Sequence, residues 1–196
     1  MKKALFVIKN LLSFFFWFLL MVAFSDIKIA LQTVSAALLH ELGHIFALIL
    51  LKKNFSLPRL VTSGMRIKTH SSLSYKEEIF ICAAGPFVNI FLFFVFLPHG
   101  IEFAIINLAT AVSNLLPLTE YDGYKIISDT ISLFSDAEKS RNVMPEITVA
   151  VSSVAVFLSL FLILKLDGGY WIFAIFFTVL VREIFLFQKQ AKNENK

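Results

Sequence analysis

Apolar residues run along this chain in long blocks separated by short polar stretches. About 20 such residues cross the roughly 30 Å of hydrocarbon in a bilayer. Six blocks reach or approach that length, at about 5–24, 27–51, 77–97, 101–117, 148–166 and 170–187. The pattern predicts an all-α polytopic membrane protein with about six transmembrane helices. The first block follows Met1-Lys2-Lys3, but no small-residue cleavage site comes after it. Phe24-Ser25-Asp26 runs directly into the second block, so the first reads as a retained helix rather than a signal peptide.

Two polar stretches carry local signals. "LPRLVTSGMRIKT" alternates around Ser63-Gly64 and predicts a short β-hairpin at the membrane surface, within about 54–70. Ser74-Tyr75-Lys76-Glu77 matches a capping box and marks the start of the third helix. Tyr124, Ile127, Ile131 and Phe134 recur at helical spacing in "DGYKIISDTISLF", which predicts an amphipathic helix lying in the interface.

Composition agrees with the pattern. The 196 residues are 58% hydrophobic and only 16% charged, whereas soluble domains are about a quarter charged. The length predicts one integral membrane domain over 1–196. Fifteen of the 18 basic residues fall in the N-terminal region, the 52–76 loop, the 118–147 loop or the tail. The positive-inside bias therefore places both termini and both long loops in the cytosol, most simply in a bacterial cell membrane. The net charge of +4 is scattered, which argues against a nucleic-acid partner. The single cysteine, Cys82, excludes an intrachain disulfide and reads as a small buried hydrophobe.

The second block, "LLHELGHIFALIL", contains the chemistry. His40 and His44 are spaced i, i+4, so on a helix their imidazoles share one face and can grip one metal ion. Glu41 lies about 100° around the helix, where it reaches a water at the metal without ligating. A glutamate within a membrane span is a functional hypothesis by default, because charge there is costly. The structural alternative is a polar trio bonded to neighbouring helices. A catalytic zinc usually takes a third protein ligand. His70 and His99 read as solvated loop residues, and Asp167-Gly168 falls on the far side by the predicted topology. Asp122 comes from the correct side, after Pro117 breaks the fourth helix, with Gly123 permitting a tight turn. Asn89 and Asn114 are mid-span or helix-end amides. Each is a candidate oxyanion donor or an interhelical hydrogen-bonding group.

His40-Glu41-Leu42-Gly43-His44, Ala84-Gly85-Pro86-Phe87-Val88-Asn89, and Asn114-Leu115-Leu116-Pro117 followed by Asp122-Gly123 occur in that order. Over about residues 30–130 the chain resembles the site-2 protease family of intramembrane zinc metalloproteases. The arrangement looks most like the small six-span branch that includes the sporulation sigma-factor-processing protease. The resemblance implies one Zn2+ per chain held by His40, His44 and Asp122, with Glu41 as general base and Asn89 near the substrate groove. It also implies a three-helix catalytic core at about 27–130, with accessory spans at about 5–24, 148–166 and 170–187. No polar stretch is long enough for the PDZ or CBS domains that many members carry. Glu120 and Tyr121 are more polar than the Leu or Phe common before the family's Asp-Gly pair.

The expected activity is hydrolysis of a membrane-embedded or membrane-associated protein or peptide near the cytosolic face, with the bilayer as solvent and room for a regulatory membrane partner. The alternative is a metal-binding transporter or sensor without peptidase activity. That reading would want polar residues at matching depth on several spans, and the first, fifth and sixth supply almost none.

Overall fold

The computed structural model describes residues 26–55, 59–61, 64–66, 72–119, 121–166, 176–185 and 187–188. They fall into two compact units, Met1–Asn114 and Leu115–Lys196.

The first unit contains α1 (Ile27–Leu50), β1 (Arg59–Val61), β2 (Gly64–Arg66), α2 (Tyr75–Phe96) and α3 (Ile101–Asn114). The three helices pack pairwise on one another. The face that α1 buries is built from Ala30, Ala36, Gly43 and Ala47 together with His40, His44 and Leu48. Its larger side chains, Leu31, Leu38, Leu42, Phe46 and Ile49, point outward. Leucine gains little by leaving lipid for a protein interior, so helices in a membrane associate through small residues that let backbones approach. Gly43 makes this concrete, since a Cβ there would stand 2.6 Å from the Ala84 carbonyl oxygen of α2.

The chain leaves α1 through Lys52 in the left-handed region, φ 53°. Lys53 then pairs with Glu77 at 2.7 Å, which ties the end of α1 to the first turn of α2. Ser74 caps α2 as the sequence predicts. Its hydroxyl accepts the Glu77 N–H, and the Glu77 carboxylate accepts the Ser74 N–H. β1 and β2 pair antiparallel, with Arg59 opposite Arg66 and Val61 opposite Gly64. α3 has 14 residues and stops at Asn114 rather than at 117. Proline at 117 disfavours helical geometry in the residue before it, so the helix ends short of the apolar block.

The second unit contains α4 (Asp122–Phe134), α5 (Ala137–Leu166) and a helix at 176–185, here α6. α5 begins at Ala137, whereas the apolar block predicts a span from 148. The polar turns before Pro145 read as loop, but they are helical. The Asp136 carboxylate accepts the Lys139 N–H at their start. Ser140 and Met144 are buried, and Ser140 bonds Ser128 of α4. That packing offsets the helical hydrogen bond that proline forfeits.

Three described helices, α1, α2 and α5 over Ala137–Phe161, are long and apolar enough to cross a membrane, and α3 is a shorter apolar helix. Phe46, Phe87, Phe94, Phe157 and Leu164 stand more than half exposed on their outer faces. Apolar surface on this scale marks a membrane-facing or partner-facing exterior. The architecture is that of a helical membrane protein. The expected span at 5–24 lies outside the described residues.

Candidate metal centre

His40 and His44 stand one turn apart on the inner face of α1, 4% and 9% exposed. Their rings meet edge to face with centroids 4.8 Å apart. Each ring is fixed by its Nδ1. That of His40 lies 2.7 Å from Asn89 Oδ1 on α2, and that of His44 lies 2.7 Å from the Ile81 carbonyl oxygen on the same helix. Pro86 lies one turn beyond Cys82 and removes from the α2 ladder the donor that would meet the Cys82 carbonyl.

These partners settle the tautomers. A backbone carbonyl only accepts, so His44 Nδ1 carries the hydrogen. The Asn89 amide is oriented by its other bonds. Its Nδ2 donates to the Ala36 carbonyl at 3.1 Å and to Asn107 Oδ1 at 2.9 Å, which leaves Oδ1 to face His40. His40 Nδ1 therefore donates as well. The two Nε2 atoms converge 3.1 Å apart, and rings that carry hydrogen only on Nδ1 would present both lone pairs to that point.

That convergence tests whether the residues present fit a metal. Two nitrogen ligands about 2.05 Å from a tetrahedral zinc stand about 3.3 Å from one another, close to the observed separation. The space the nitrogens face is open only because residue 85 is glycine. A Cβ at Gly85 would lie 2.5 Å from His44 Nε2 and 2.7 Å from His40 Nε2. Buried neutral imidazoles with their Nδ1–H groups tied to oxygen acceptors are the arrangement in which histidines ligate through Nε2. The fit is good.

Glu41 is half-buried on the neighbouring face of α1. Asn89 is fully buried, and both of its amide hydrogens are accepted, by Ala36 and Asn107. Its Oδ1 faces His40 Nδ1 at 2.7 Å. Asn114 ends α3 and turns its amide back to the Thr110 carbonyl at 2.9 Å. Asp122, in the second unit, opens α4 in a half-buried position. His99 lies in the turn between α2 and α3, while His70 lies outside the described residues.

Asn107 was not anticipated from sequence. It is fully buried on α3, accepts from Asn89, and donates to the Phe103 carbonyl at 2.9 Å. The signal was an amide in the apolar run "AIINLAT", the same oddity that singles out Asn89.

The fold is that of a helical membrane protein, and its first described helix holds two buried histidines whose Nε2 atoms converge. No family model matches the chain, and no curated protein matches it. Among solved structures, the fold is similar to that of a site-2 protease from Methanocaldococcus jannaschii. The two share 18% identity, the match covers 90% of this chain and 86% of that one, and the TM-score is 0.56.

Proposed function

We propose that the protein is an intramembrane zinc metalloprotease. On this reading it has six spans and cuts a membrane-embedded or membrane-associated protein near its cytosolic end. The observation that carries the proposal is the pair of buried Nε2 atoms, held 3.1 Å apart by Nδ1 partners on a second helix. The similar fold of a site-2 protease supports the same chemistry.

His40, His44 and Asp122 are the proposed ligands. Bound there, zinc would lower the pKa of a water and polarise the scissile carbonyl. Glu41 takes a proton from the attacking water and delivers it to the departing amine, so the carboxylate ends as it began. Asn89 and Asn107 hold the His40 ring in its ligating tautomer. A substrate helix keeps its carbonyls in internal hydrogen bonds and must be unwound before attack. The β1–β2 pair offers an edge for the extended segment.

The test uses the full chain in liposomes with a panel of single-span membrane proteins. The proposal expects at least one to be cut near its cytosolic end, the cut to vanish on chelation, and zinc to restore it. A panel left intact by the zinc-loaded protein, or cut equally after chelation, overturns the proposal.

A further inference from the structure

Residues 115–119, which lead towards Asp122, form neither helix nor strand. They are nevertheless held by side chains from both C-terminal helices. From α5, the Thr148 hydroxyl lies 2.9 Å from the Pro117 carbonyl oxygen. From α6, Arg182 Nη2 donates to the Thr119 carbonyl at 3.0 Å. The Thr119 hydroxyl in turn donates to Glu183 Oε2 at 2.6 Å, and Arg182 Nη2 donates to Glu183 Oε1 at 2.8 Å. Thr119 is thus gripped at both its hydroxyl and its carbonyl by one ion pair.

The cost of that grip indicates a function. Glu183 is 4% exposed, and a carboxylate withdrawn this far from water is expensive unless its oxygens are satisfied. An apolar side chain would pack a helix at far lower cost. What the carboxylate adds is direction, because charge-assisted hydrogen bonds are short and geometrically selective. On the other flank of Asp122, Gly123 is buried so closely against the Leu115 carbonyl that a Cβ would overlap it. Leu118, between the held carbonyls of Pro117 and Thr119, is also buried.

We propose that Thr119, Arg182 and Glu183 form a clamp that positions Asp122 as a metal ligand. The helix at 176–185, outside the expected three-helix core, then sets the protein's metal affinity as well as contributing a span. Glu183 is a positioning residue in this scheme. The inference rests on the reading of Asp122 as a ligand.

The experiment measures zinc affinity of the full chain by chelator competition, for wild type and for Asp122→Asn, Thr119→Val, Thr119→Ser and Glu183→Gln. Loss of a group that orients a ligand typically costs 10- to 100-fold in metal affinity. Thr119→Val and Glu183→Gln should each weaken zinc binding about tenfold or more, while Thr119→Ser, which keeps the hydroxyl, stays near wild type. If Asp122→Asn loses zinc but the Val and Gln variants bind like wild type, the clamp is refuted and the ligand assignment stands. Variants that lose only thermal stability, with affinity unchanged, refute it equally. If Asp122→Asn itself binds like wild type, the ligand assignment fails and the clamp with it. Should Glu183→Gln not fold, Thr119→Val decides, since it removes a single hydroxyl.

Discussion

Gly85→Ala adds one methyl group at the point both ring nitrogens face. The new carbon would stand 2.5 Å from His44 Nε2, 2.6 Å from His44 Cε1 and 2.7 Å from His40 Nε2, against 3.4 Å or more for ordinary contact. The rings would have to retreat by about 0.7–0.9 Å, more than the roughly 0.5 Å that a metal constellation tolerates. They are poorly placed to do so. Each is tied at Nδ1 by a 2.7 Å bond, to Asn89 and to Ile81, and swinging clear would break those bonds. Separating α1 from α2 is the other escape, and overpacking of this kind costs about 1–3 kcal/mol. At 1.4 kcal/mol per factor of ten, zinc affinity should fall by roughly 5- to 100-fold. Gly100→Ala is the control, because a Cβ there meets nothing within 4 Å. The assay is chelator competition on both variants, with circular dichroism to confirm helical content. A Gly85→Ala protein that binds zinc like wild type would refute the reasoning.

Asn107→Leu removes the acceptor for one Asn89 hydrogen, and zinc affinity should weaken towards tenfold while Asn107→Gln recovers part of it; equal affinities would remove Asn107 from the site. Ser74→Ala breaks the capping box of α2 and should cost about 1 kcal/mol in unfolding free energy with zinc affinity unchanged. Burial, and after it the Glu183 carboxylate, raises the Tyr124 phenol above its ordinary value of 10.0. A raised folded-state value stabilises below the unfolded pKa and is lost as pH rises through the folded one. Wild type should therefore lose stability at strongly alkaline pH more steeply than Tyr124→Phe, as read by thermal unfolding from about pH 9 to about pH 11.

His40, Glu41 and His44 were legible because the helical period turns i, i+4 spacing into a shared face whatever the tertiary setting. The Ser74–Glu77 cap was legible for the same local reason. Helix ends were harder to read. Pro117 acts on the residues before it, which shortened α3, and the polar turns from 137 look like loop until their packing on α4 is known. The partners of the site came from tertiary structure. Nothing local says that Asn89 meets His40 rather than a substrate, since its neighbours Ala36 and Asn107 lie 53 and 18 residues away. Arg182 and Glu183 lie within the last apolar block, and only the folded chain brings Thr119 to them.

The most direct test of the account is Glu41→Gln, with zinc content and cleavage of a membrane substrate measured on the same preparation. Glutamine keeps the shape of the side chain and removes its proton-accepting charge. General-base catalysis is worth about 10²- to 10⁴-fold. The account predicts one zinc per chain in the mutant, as in wild type, with cleavage reduced by that factor. A mutant that keeps both its zinc and its cleavage would contradict the account.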